Sequence, residues 1–264
     1  MSERSKAVLL AFLNLLGFIG TVAVNALANI LPINNKATGE LSDSYPNLFV
    51  PTALTFAIWG LIYALLFVFI VYQFVVAFRK NTWEKGVVRK AGIFFIISSV
   101  LNMGWIFAWH YEQVLLSLII MILLFISLLI IYLRLRIGRS DASKSEKICS
   151  HIPFSVYIGW ITIATIANVT AFLVNINWNR FGLSDQIWTL LVIAVGILIS
   201  LGMLFIRKDI FYNLVVVWSF TGILLKRISD KGADDLYIVI ISIAGIAALM
   251  LGIIFQIIRR KKLY

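Results

Sequence analysis

The sequence predicts an all-α fold, a polytopic bundle of about eight membrane-spanning helices, and three observations carry the prediction. The 264 residues are 61% hydrophobic and only 13% charged, with mean hydropathy +0.98, far more apolar than a soluble domain. A window of about 19 residues finds eight apolar segments long enough to cross a hydrocarbon core. The cations between these segments alternate sides. Arg4, Lys6 and the basic residues of 79–90, 134–147, 207–208 and 259–262 make 18 of the 23, and the other side holds Lys36, Arg180, Lys226, Arg227 and Lys231. By the positive-inside rule both termini are cytoplasmic.

The first segment, 7–30, contains Ala26-Leu27-Ala28, which has the form of a signal-peptide cleavage site. Its apolar stretch is longer than a signal-peptide core, so it is read as a helix. The second, 50–78, opens with Pro51, which suits a first helical turn. The third to sixth are 91–110, 114–133, 152–175 and 186–206. The seventh, 210–226, is the weakest, because Arg207, Lys208 and Asp209 crowd its start and Lys226 and Arg227 its end. The eighth is 236–258. The connections 31–49, 79–90 and 134–151 are too short to hold a core. The first is rich in Asn, Ser, Gly and Pro and reads as a lid or, more simply, a long link.

The net charge of +11 is mostly a topology signal that brings basic clusters to lipid headgroups, and it implies no nucleic-acid partner. The single cysteine, Cys149, allows no disulfide within one chain. The sequon-like Asn168-Val-Thr170 falls inside a span, where it reads as chance. Ala244, Ala248 and Gly252 in the eighth span, with Gly196 and Ser200 in the sixth, are small-xxx-small patterns for packing helix on helix or, in a homo-oligomer, protomer on protomer.

Polar residues inside the spans are not scattered. At about 100° per residue, Thr52, Thr55, Trp59, Tyr63 and Gln73 of the second span fall within about 80° of arc. Ser98, Asn102, Trp105 and Trp109 of the third share about 60°, and Tyr157, Trp160, Ala164, Asn168, Ala171 and Asn175 of the fifth about 80°. The first span adds Asn14, Thr21, Asn25 and Asn29. Amides facing lipid would lack partners, so the stripes face inward. Each residue alone is accounted for by interhelical hydrogen bonding and core filling. Bulky indoles recurring beside amides on several helices also describe a pocket for a flat, mostly apolar ligand.

No acid or base lies deep in a span, which argues against a coupled pump, and no buried Lys is available for a retinal Schiff base. His110 and His151 end different spans on opposite sides, so they share no metal and read as interfacial histidines. No Ser-His-Asp or Cys-His set lies on one side, so no catalytic or metal residue is assigned. An enzyme acting on a bound pigment would have to rely on light-driven chemistry needing few protein groups.

The run from Pro51 through Trp59 to Tyr63, then "LNMGW" with Asn102 and Trp105, then "PFSVYIGWITIATIAN" with Trp160 and Asn168, resembles the translocator protein/TspO family of tryptophan-rich sensory proteins. The likeness covers about residues 7–176, implying a five-helix core over 1–176 with 177–264 as a three-helix extension. It implies a ligand pocket for a porphyrin, haem, sterol or other aromatic, lined by Trp59, Tyr63, Asn102, Trp105, Trp160 and Asn168, to which the third-span stripe adds Trp109. Ala53 stands where the family has a Trp, and Phe56 where it has a second Pro. The sterol motif of animal members occurs only loosely, as Leu128, Tyr132 and Arg134.

The expected function is therefore a sensor or translocator, in a cell membrane, for a flat hydrophobic ligand. The alternative is a structural or partner-binding membrane protein with a solidly packed core. The abundance of Ile, Lys and Asn fits an AT-rich bacterial gene.

Overall fold

The computed structural model describes residues 3–31, 33–78, 86–230 and 235–261. Eight helices long and apolar enough to cross a membrane are present among them. In chain order the elements are α1 (Glu3–Ile30), the short α2 (Thr38–Asp43), α3 (Ile58–Phe78), α4 (Val87–His110), α5 (Val114–Arg134), the single turn α6 (Lys144–Glu146), α7 (Ile152–Asn175), α8 (Asp185–Ile206), α9 (Ile210–Asp230) and α10 (Asp235–Lys261). A 3₁₀ turn, Ala53–Ala57, leads into α3, and a π turn, Lys147–His151, leads into α7.

Five of the long helices close a ring: α1 packs on α3, α3 on α7, α7 on α5, α5 on α4 and α4 back on α1. The last three form a smaller group, α10 lying against both α8 and α9, and α9 docks this group on α7. Burial follows the polar stripes except at their loop-side ends, where Asn29 and Asn175, expected to face inward, are exposed. Asn14, Thr21 and Asn25 of α1, Gln73 of α3, and Ser98 and Asn102 of α4 are all buried, whereas Phe12, Leu16, Ile19, Leu198 and Leu251 remain exposed on the outer surface. An apolar exterior around a partly polar interior suits lipid as solvent, because an unpaired amide is costly in hydrocarbon and an aliphatic side chain is not.

The small residues mostly join helices within the chain. Gly245 and Gly252 of α10 sit against Ile197 and Leu204 of α8, and Gly196 sits against Phe220 of α9. Ser200 donates to Asn213 at 2.7 Å. Of the predicted α10 stripe only Gly252 is buried; Ala244 and Ala248 face outward. Among the described glycines within helices the closest approach is at Gly222, where a Cβ would stand 2.0 Å from the Thr55 Oγ1. This contact lets the Gly222 carbonyl accept from the Thr52 amide at 3.1 Å, while the Trp218 indole donates to the Thr55 carbonyl at 2.9 Å. α9 thereby holds the entry into α3.

Two local expectations need correcting. Pro51 lies outside the helix it was expected to open: Thr52 is the cap residue of the following 3₁₀ turn. Because residues 53–57 turn with fewer residues per revolution than an α-helix, Thr52 and Thr55 leave the Trp59 face and point to α9. The first connection is also more than a link. Leu41, Tyr45, Phe49 and Val50 are buried, and His110, expected at the interface, is fully buried beneath the connection. Its Nε2 is 3.1 Å from the Thr38 hydroxyl and its Nδ1 3.0 Å from the Ile33 carbonyl.

We call the end of the bundle holding this connection the loop-1 end, and the other, with Arg134 and Arg136, the basic end. Four of the five cations at the loop-1 end are paired: Lys36 with Glu112, Arg180 with Asp185, Lys226 with Asp43, and Arg227 with Asp230 and Asp235. Lys231 lies outside the described residues.

Candidate functional site

The stripes meet in two adjoining clusters. In the first, the Asn25 amide donates to the Asn102 Oδ1 at 2.7 Å, and the Asn102 amide donates to the Tyr157 hydroxyl at 3.0 Å. The Asn25 amide also donates to the Thr21 carbonyl at 2.9 Å. This chain ties α1, α4 and α7 together, with both amide groups donating within the protein. A related pair, Asn14 to Gln73 at 2.9 Å, joins α1 to α3, with the Asn14 Oδ1 buried and without a partner among the described residues.

The second cluster lies toward the loop-1 end. There Trp59 of α3, Trp105 and Trp109 of α4, and Trp160 and Asn168 of α7 border one cavity of about 50 Å³. Phe49 of the first connection, with Pro51 and Phe56 at the entry into α3, closes it, and Ser219 and Ile223 of α9 complete the wall. The rings are mutually ordered. Trp105 and Trp109 stack at 6.1 Å with 14° between planes, and Trp59 meets Trp160 nearly at right angles at 6.2 Å. Phe56 is edge-on to Trp160 at 5.8 Å. Such offset and edge-to-face arrangements suit the ring quadrupoles and make a stiff wall.

The indole N–H groups differ. Trp105 donates to the Asn168 Oδ1 at 3.2 Å, and Asn168 is held in turn by Ser117, to which its amide donates at 3.1 Å. Trp109 donates to the Thr38 carbonyl at 3.4 Å. The Trp160 Nε1 is buried with no hydrogen-bond partner among the described residues. An unpaired buried donor costs about 1–3 kcal/mol.

Five of the seven expected site residues, Trp59, Trp105, Trp109, Trp160 and Asn168, therefore border the cavity. Tyr63 stands behind it, stacked on Trp59 at 5.5 Å, with its own hydroxyl buried and unpaired. Asn102 belongs to the amide cluster. The reading of stripes could not reach Phe49, Phe56 or the α9 residues, since loop residues carry no helical period and the one indole of α9, Trp218, turns to the Thr55 carbonyl and is not among the residues that border the cavity. Phe56 was visible only as a departure from the family pattern, yet it fills a wall. Asn168, the sequon residue, is committed to Trp105 and Ser117.

At the basic end lies a third polar group that the sequence did not reveal. Asp209, between α8 and α9, is buried and accepts from the Tyr132 hydroxyl at 2.9 Å, the Ser155 hydroxyl at 2.7 Å and the Tyr212 amide at 3.1 Å. Burial pushes its carboxyl above the ordinary range, and these donors offset the rise only in part. Tyr132 is thus an inward anchor, buried beside Asp209, and leaves no lipid-facing ring for the loose sterol motif.

Among the described residues no group of three His, Cys, Asp or Glu could hold a metal ion. The site's chemistry is that of aromatic faces, one free N–H and a shielded amide, which can bind and orient a flat molecule.

No curated protein and no solved structure matches the chain. A family model described as TSPO-like protein matches residues 11–255, running through the five-helix ring and almost all of the last three helices. With the indole-lined cavity on the ring's inner face, this match places the chain in the TSPO-like protein family, as a multi-pass integral membrane protein.

Proposed function

We propose that this TSPO-like protein binds a flat, mostly apolar ligand non-covalently in the indole chamber and senses it or passes it on. One observation carries the reading: four indoles from three helices converge on a single cavity, and the Trp160 N–H there has no acceptor among the described residues. The ligand stacks on Trp59, Trp105, Trp109 and Trp160 and presents an acceptor atom to Trp160, with Asn168 at the polar edge. Tyr63 and Asn102 act one layer back, by backing Trp59 and by fixing the helices. The cation asymmetry supports termini on the cytoplasmic side of a cell membrane.

The size of the chamber qualifies the ligand. Pockets for drug-sized ligands measure about 300–1,000 Å³, and about 50 Å³ is room for little more than a water or two. Binding therefore displaces Phe49 or Phe56, the two phenylalanine rings that close the chamber. A porphyrin or haem demands a larger displacement than a two- or three-ring aromatic. The same small volume favours a second reading, a solidly packed bundle whose role is to bind another protein.

Titrating the purified protein in detergent with protoporphyrin, haem, a sterol and indole, while following tryptophan fluorescence, separates the two. Binding predicts saturable quenching by at least one of them, lost in Trp105→Ala and weakened in Trp160→Phe. Linear quenching by all four would leave the packed bundle as the reading.

A further inference from the structure

The loop-1 end holds a second and larger concavity, of about 300 Å³, between the first connection, the end of α7 and the start of α8. Trp178 and Trp188 form its aromatic side, with ring centres 4.7 Å apart and 72° between planes. Asn47, Asn177 and Arg180 form its polar edge. Phe49 borders both this concavity and the indole chamber and is the lining residue they share.

We infer that this concavity is an entry subsite for a neutral two- or three-ring aromatic, which docks against Trp178 and Trp188 and reaches the indole chamber when Phe49 moves aside. The inference rests on the binding role proposed for that chamber. Size is the first support, since about 300 Å³ meets the lower bound of small-molecule pockets and the chamber alone does not. Charge is the second. Arg180 is paired with Asp185 at 2.9 Å across the rim, leaving the lining without net charge and favouring a neutral ligand.

The partition is locally held. The Phe49 backbone amide donates to the Asn47 Oδ1 at 3.0 Å, and the Asn47 amide donates to the Tyr45 carbonyl at 2.8 Å, so the turn carrying Phe49 is closed by its own neighbours. A self-contained Asx turn can shift its ring without breaking a contact between transmembrane helices. Across the concavity, Asn177, Arg180 and Phe181 all have left-handed backbone (φ 51°, 54° and 55°), a cost that persists only where surrounding structure enforces it. Paired tryptophans at a membrane end also serve as interfacial anchors. Here both rings line a concavity shared with Phe49, which anchoring in headgroups does not require.

Stopped-flow binding of 1-aminoanthracene to the full-length protein in nanodiscs, exciting the probe directly and subtracting empty discs, tests the route. Trp188→Leu should slow association about tenfold, the scale of one aromatic contact. Trp178→Leu should act in the same direction. Phe49→Ala should speed association about tenfold, as expected of a barrier removed from the route. Association unchanged by both tryptophan variants, while Trp105→Ala still weakens binding, would overturn the entry subsite and leave the chamber standing. Absence of saturable binding by the unmodified protein to this probe and to the four ligands above would overturn both.

Discussion

The amide cluster and the indole chamber adjoin on the same helices and are drawn from the same inward stripes, yet they are built to different ends. Around Asn102 the Asn25 and Asn102 amides both donate within the protein, and the result is a tie between α1, α4 and α7. One layer toward the loop-1 end, Trp160 keeps a buried N–H with no acceptor among the described residues, among rings closed off by Phe49 and Phe56. A satisfied network serves cohesion, because its hydrogen bonds exist only when the helices are together. An orphaned donor beside a closable cavity costs stability in the protein alone and repays it only when something supplies an acceptor. Neighbouring positions of one stripe thus separate into scaffold and site by hydrogen-bond accounting.

The comparison can be broken at either side. Trp105→Ala removes a stacked indole and the donor that orients Asn168, and should cost about 3 kcal/mol in stability together with ligand quenching; unfolding in detergent micelles reads the first and titration the second. Asn102→Leu leaves the Asn25 amide and the Tyr157 hydroxyl short of a partner and should cost about 2 kcal/mol, with affinity kept in the protein that remains folded. If Asn102→Leu instead weakened binding as strongly as it weakened folding, the two clusters would be one site. Trp160→Phe keeps one aromatic ring and deletes the unpaired donor with the rest of the indole. Relief of that donor offsets part of the cost of the cavity left behind, so the variant should lose less stability than Trp105→Ala and weaken binding about fivefold, the equivalent of one hydrogen bond. Tyr63→Phe is the smallest change: deleting an unpaired hydroxyl should stabilise by up to about 1 kcal/mol, with binding unaffected.

The Asp209 group at the basic end sharpens the same distinction with pH. Its carboxyl is raised in the folded protein, so between the ordinary carboxylate value of about 3.9 and its raised value the folded state holds more protons than the unfolded one. Stability from this group is therefore highest at low pH, falls as pH rises through that window and is level above it. Asp209→Asn should lose that slope. A melting temperature whose pH dependence is the same in both proteins would show that the three donors fully offset burial.

Much of this architecture was legible in advance. Eight spans, their approximate limits and the inward stripes follow from hydropathy and a 3.6-residue period, since in lipid the backbone must satisfy itself as helix and the side-chain pattern then decides which face is wet or buried. Trp59, Trp105, Trp109, Trp160 and Asn168 were found by that period together with a family likeness. Phe49 and Phe56 were not, because their positions depend on a 3₁₀ turn and a folded connection, where no fixed rotation per residue applies. Nor was the role of α9, whose Gly222 reaches Thr55 across 167 positions of sequence, or that of Asp209, whose partners Tyr132 and Ser155 come from two other helices.

What the sequence determined by itself is the class of molecule and the set of residues that cannot face lipid, because both depend on transfer free energies that each residue carries wherever it sits. What the tertiary structure alone decided is which of those residues are satisfied and which remain open. Pairing is a property of two groups brought within about 3 Å, and whether Asn102 finds Tyr157 while Trp160 finds no acceptor depends on how five helices close into a ring.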